Sequence, residues 1–186
     1  MKYALLFFIV GLAIGCENTP TTQASEQEKT TPSRQIPGQQ LNGQVRLQAR
    51  NPMEDPNNQS EQSKKVLQFL TQDFWVITAW VEQLDPQLNR KNQGRYFQFK
   101  PDGSFVSGQW GQQKAQGTWT FNGKTALLYL DSSTDDEDGE WRIQMSKDGS
   151  VMIWVGTERF NTSHIQVKLE HLLFTPKDRA ELGLKD

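Results

Sequence analysis

Past residue 74 the side chains of this chain change sides at every residue, and that period limits its fold more than any other feature. Ala115-Gln116-Gly117-Thr118-Trp119-Thr120-Phe121 sets Ala, Gly, Trp and Phe on one face and Gln and Thr on the other. Glu140-Trp141-Arg142-Ile143-Gln144-Met145-Ser146 and His164-Ile165-Gln166-Val167-Lys168-Leu169-Glu170 alternate in the same way. One dry face and one wet face is the pattern of an antiparallel sheet. Runs at 74–82, 94–100, 104–110, 125–131 and 150–156 complete a predicted set of eight strands. The turns between them carry their own chemistry: Pro101-Asp102-Gly103, Asn122-Gly123 and Lys147-Asp148-Gly149. Glycine supplies the positive φ that tight hairpins need. Consecutive hairpins with a single dry face hide it by curling into a barrel. The expected fold is all-β, an eight-stranded antiparallel up-and-down barrel. A short N-terminal helix is predicted over Lys64–Phe74, where Val66, Leu67, Phe69, Leu70 and Phe74 recur at helical spacing.

The aromatic residues mark where the core lies. All six tryptophans and eight of the ten phenylalanines fall after residue 64, and none lies between Glu17 and Ser63. That intervening stretch is rich in Gln, Thr, Ser, Asn, Glu and Pro. It buries too little apolar surface to offset the entropy of ordering, and 16–63 is read as a disordered tether. Within it Leu41, Gly43, Val45, Leu47 and Ala49 alternate with polar residues, so an added edge strand and a plain linker both stay open. The barrel is assigned to 64–176, and 177–186 is a C-terminal tail.

The first residues are an export signal. Met1-Lys2 starts positive, and the apolar run Tyr3–Ile14 is shorter than the ~20 residues that span a bilayer. It ends at Ala13-Ile14-Gly15-Cys16, which resembles the bacterial lipobox. That resemblance implies removal of 1–15 and lipidation of Cys16, with the acyl chains anchoring the protein in the membrane. Glu17 stands where an Asp would favour inner-membrane retention, so the expected location is the outer membrane of the cell envelope. Cys16 is the single cysteine, so no internal disulfide staples the domain. The net charge is −2, without a basic stripe, so nucleic acid is not an expected partner.

Tyr96-Phe97-Gln98-Phe99-Lys100-Pro101-Asp102-Gly103-Ser104-Phe105 sets an aromatic strand, a turn and a second strand in sequence. Gly117–Phe121, Ala126–Leu130, Trp141–Ile143 and the strand through Leu169 follow. This series, over about residues 70 to 175, resembles the lipocalin-like lipoproteins of Bacteroidota-type bacteria. The resemblance implies an up-and-down barrel and the binding of a small apolar molecule. One departure is plain. Relatives open the first strand with Gly-x-Trp, whereas here Asp73-Phe74-Trp75 lacks the glycine.

Candidate chemistry is sparse. The acidic run Asp131–Glu140 holds enough carboxylates to suggest calcium, but it lacks the spacing of an EF-hand loop and reads as a solvated hairpin connection. His164 and His171 are an odd number of residues apart, which puts them on opposite faces of a regular strand. No Gly-x-Ser-x-Gly elbow or phosphate loop is present, so neither an enzyme nor a cofactor is expected. The aromatic set is the feature with most promise. Trp75, Phe97, Phe99, Trp119, Phe121, Trp141, Ile143 and Met145 take inward positions, where they either line an apolar ligand pocket or fill the barrel themselves. Two functions follow: a carrier of a small hydrophobic ligand, or a tethered module that docks on another envelope protein. Docking would call for an exposed aromatic patch, for which Trp80, Trp110 and Trp154 are the candidates.

Overall fold

The computed structural model describes residues 48–82, 85 and 87–184. The export segment, Cys16 and the alternating stretch from Leu41 to Leu47 lie outside the described residues. Eight antiparallel strands close in chain order into one barrel. They are β1 (Phe74–Glu82), β2 (Arg95–Phe99), β3 (Ser104–Gln109), β4 (Gln112–Asn122), β5 (Leu127–Ser132), β6 (Gly139–Met145), β7 (Val151–Gly156) and β8 (Ile165–Leu172). The eight-stranded up-and-down barrel read from the alternation is therefore the observed fold. Closure is made where Phe74 pairs with Leu172 and Glu82 with Ile165. A bulge between Ile77 and Ala79 in that pair and another at Ser107/Gly108 bend the wall.

The barrel has two mouths. The turns β2–β3, β4–β5 and β6–β7 form the lower one, and the other four connections form the upper one. Helix α1 (Glu61–Leu70) closes the lower mouth with Leu67 and Leu70, both in the core. It begins and ends a few residues earlier than the periodicity predicts. Ser60 is the reason for the early start: its Oγ accepts the Ser63 backbone N–H at 3.1 Å, which caps the first turn. Phe74, counted on the helical face, is the first residue of β1.

Residues 48–60 are laid against the same end, although their composition reads as tether. Proline and Asx chemistry orders them. Asn51 Oδ1 accepts from Met53 N at 3.0 Å and Asp55 Oδ1 from Asn57 N at 2.7 Å, each starting a short 3-10 turn. Asn58 is fully buried and ties the segment down, donating to Phe121 O at 2.8 Å and accepting from Gly123 N at 2.7 Å. Gly123 thus has a different purpose from the one its turn suggests. Gly103 and Gly149 do take positive φ, 85° and 73°, but in the β4–β5 turn the left-handed residue is Ala126 at 55°. A Cβ on Gly123 would stand 2.0 Å from Ser63 Oγ, so close approach is what requires glycine there.

The missing glycine of the first strand also has an account. Asp73 takes the left-handed conformation, φ 38°, which Asp tolerates better than most side chains. Trp75 then plugs the lower mouth, fully buried, with Nε1 donating to Leu70 O at 3.3 Å.

A second helix, α2 (Gln87–Asn92), lies in the β1–β2 connection and escapes the periodicity reading. Its sequence offers one aliphatic residue, Leu88, so no apolar stripe announces it. Asp85 Oδ1 accepts from Gln87 N at 2.9 Å at its start, and Asn89 Oδ1 accepts from Trp80 N at 2.8 Å.

Candidate functional site

The eight residues singled out from the alternation come together inside the barrel. Seven of them, Trp75, Phe97, Phe99, Trp119, Phe121, Trp141 and Ile143, are buried, and Met145 packs against them half-buried. Their rings touch one another. Phe99 lies 5.2 Å from Trp119, Phe97 5.0 Å from Trp154 and Trp141 5.4 Å from Trp154, centroid to centroid. Tilted aromatic contacts at these distances are ordinary core packing. The described side chains pack on each other across the interior.

Trp154 corrects an expectation. It is 1% exposed, because β7 turns Met152 and Trp154 inward, so it belongs to no surface patch. Its indole Nε1 is buried without a hydrogen-bond partner. A buried donor left unpaired costs about 1–3 kcal/mol. Trp80 is half-buried against Trp141, centroids 6.0 Å apart, and its Nε1 donates to Glu82 Oε2 at 3.2 Å. Trp110 is half-buried beside Gly94, where its ring fills the space a Cβ would take. The three tryptophans therefore make no common exposed patch.

The upper mouth is polar. Glu137, from the acidic run, points into it with its side chain 7% exposed. Its Oε1 accepts from Arg95 Nη2 at 3.0 Å, while Oε2 accepts from Ser107 Oγ and, at 3.4 Å, from Ser132 Oγ. Arg95 Nη1 also donates to Asn92 Oδ1 at 2.8 Å, which fixes the guanidinium from α2. The connection is thus not wholly solvated, as its charge had suggested. One of its acids is a strut. The histidines lie at opposite ends of β8. His164 Nε2 is 3.3 Å from Glu82 Oε1, and His171 Nε2 is 3.3 Å from Asp73 Oδ2, so they share no ligand position. Among the described residues no group of three or more His, Cys, Asp or Glu is placed to hold a metal.

A concave site lies on the outside of the barrel. A groove of about 750 Å³ runs over β5, β6 and β7 and is walled by the β7–β8 connection. Leu127, Arg142 and Val155 form one row of its floor, paired across the three strands, and Tyr129 and Glu140 pair in the next row. Arg159 closes it. Its Nη1 donates to Glu140 Oε2 at 3.1 Å, and its guanidinium lies 5.5 Å from the centre of the Tyr129 ring. Burial, and then the hydrogen bond to Glu140, push the Tyr129 phenol above its ordinary value. The wall is braced: Thr157 N donates to Thr162 Oγ1 at 3.0 Å and Thr162 N returns to Thr157 O at 3.0 Å. The groove offers a half-buried ion pair, one tyrosine and two aliphatic shoulders. The alternation marks Leu127, Tyr129, Glu140, Arg142 and Val155 as solvent-facing, which is why sequence reasoning passed over them.

No protein-family model matches the chain, and no curated protein matches it. Among solved structures, it is similar to a DUF4847-family protein from Bacteroides vulgatus at 14% identity and a TM-score of 0.43. The match covers 57% of this chain and 97% of that one.

Proposed function

We propose that this chain is a membrane-tethered interaction module, held by lipid at Cys16, whose filled barrel docks on another cell-envelope protein through its outer wall. The observation that supports this most is the contrast in packing. The aromatic residues fitted for a ligand pocket are spent on one another, while the concave surface lies outside. The length of chain between Cys16 and the barrel would let such a module reach beyond the lipid surface. Glu17 in place of Asp favours the outer membrane. The module carries out no chemical step and needs no cofactor.

A second reading, the carrier of a small apolar molecule, is favoured by one observation. Trp154 Nε1 is a buried donor with no partner, and an interior ligand with an acceptor would satisfy it. Tryptophan fluorescence separates the two. Under the docking reading, a panel of fatty acids and similar amphiphiles leaves emission and melting temperature unchanged, and a photo-crosslinker at Thr120 or Arg142 joins the protein to a single envelope partner in intact cells. A saturable fluorescence response to a lipid, with no crosslinked partner, would replace docking by carriage. Metabolic labelling with a fatty-acid analogue tests the anchor, because a Cys16→Ser variant should lose the label.

A further inference from the structure

The wall groove holds four charged side chains, and two of them cancel. Glu140 and Arg159 pair at 3.1 Å, while Arg142 and Glu158 have no ion-pair partner among the described residues. Arg142 is exposed and lies between Leu127 on one neighbouring strand and Val155 on the other. A guanidinium between two aliphatic shoulders presents a planar fork of donors with apolar surface on either side. That geometry matches a carboxylate, which accepts two parallel N–H bonds. Tyr129, Thr157 and Ser163 line the same groove, and hydroxyl oxygens can accept from amide groups even where, as at Thr157, the hydroxyl already donates to Glu140 O.

We infer that this groove binds a peptide segment of a partner protein that carries one carboxylate beside apolar residues, with Arg142 holding the carboxylate. The inference rests on the docking reading above and names the chemistry of its partner. Glu158 narrows the choice. A second anionic group on the ligand would meet this unpaired carboxylate, so a polyphosphate, a nucleic acid or an anionic membrane fits poorly, whereas a single acid fits. The buried pair and the braced wall mean that the groove is built before anything binds, so little ordering entropy is spent on the protein side.

Selection of a random heptapeptide library on the purified full chain, and in parallel on its Arg142→Gln variant, tests this. Arg142 is exposed, so the variant should keep the circular dichroism spectrum of the parent. The expected result is enrichment of peptides with one Asp or Glu flanked by aliphatic residues. Their affinity should fall about tenfold when the acid is changed to its amide, and by a similar factor on Arg142→Gln. Three outcomes would overturn it: no enrichment, enrichment that ignores Arg142, or inorganic phosphate displacing the selected peptides as well as a carboxylate does. If the in-cell crosslink survives in Arg142→Gln while the selection fails, docking stands and this groove is not its seat.

Discussion

At the lower mouth Leu67 and Leu70 press on the core and Trp75 donates to the helix end. At the upper mouth Glu137 reaches in to Arg95 and two serines. One closure gains from apolar area removed from water. The other has to offset the desolvation of two charges, and gains from it a fixed position for the β5–β6 connection. The difference teaches that the two ends divide the work. The lower end supplies stability, and the upper end supplies geometry for the loops around it.

The largest effect should come from the lower end. Leu70→Ala removes a fully buried side chain and should cost about 2–5 kcal/mol in urea unfolding. A loss smaller than that of the ionic variant would reverse the comparison. Glu137→Ala strands Arg95, which is 22% exposed and so partly relieved by water, and should cost about 1–3 kcal/mol. Replacing both partners, Arg95→Met with Glu137→Leu, should recover most of that loss. A double variant no better than the single one would show that the upper mouth contributes stability as well as shape.

The smallest effect belongs to the turns. Asp148 accepts from Ser146 Oγ at 2.6 Å and from Ser150 Oγ at 2.9 Å, and these bonds hold its carboxyl at about 2. A folded-state value below the ordinary 3.8 means that its contribution is present above 3.8 and is lost as the pH falls through about 2. Asp148→Asn should therefore differ in urea midpoint from the parent at neutral pH and converge with it towards pH 2. A pH-independent gap would assign the effect to the amide's own fit in the turn.

Legibility in the sequence followed the same division. Alternation reports which side a residue faces, so all eight strands and the core aromatics from Trp75 to Trp141 could be read directly. Helix α2 could not, because it packs through amides such as Asn89 rather than through an apolar stripe. Glu137 was hidden in a run of like residues, since composition cannot say which acid of a run turns inward. The wall groove was least legible. It is assembled from the wet faces of three strands and a connection without a motif, and concavity is a property of the closed barrel alone. Trp154 differs: the phase of its own strand, shared with Met152, turns it inward and rules out the surface.

With β1 joined to β8, the sheet forms a ring without a seam. Among the described residues no strand of this ring lacks a neighbour on either side, which leaves no open edge strand for a second copy to pair with. Under the docking proposal a partner would be recognised by the side-chain inscription on the outside, and selectivity could change by single substitutions there while the ring beneath stays as it is.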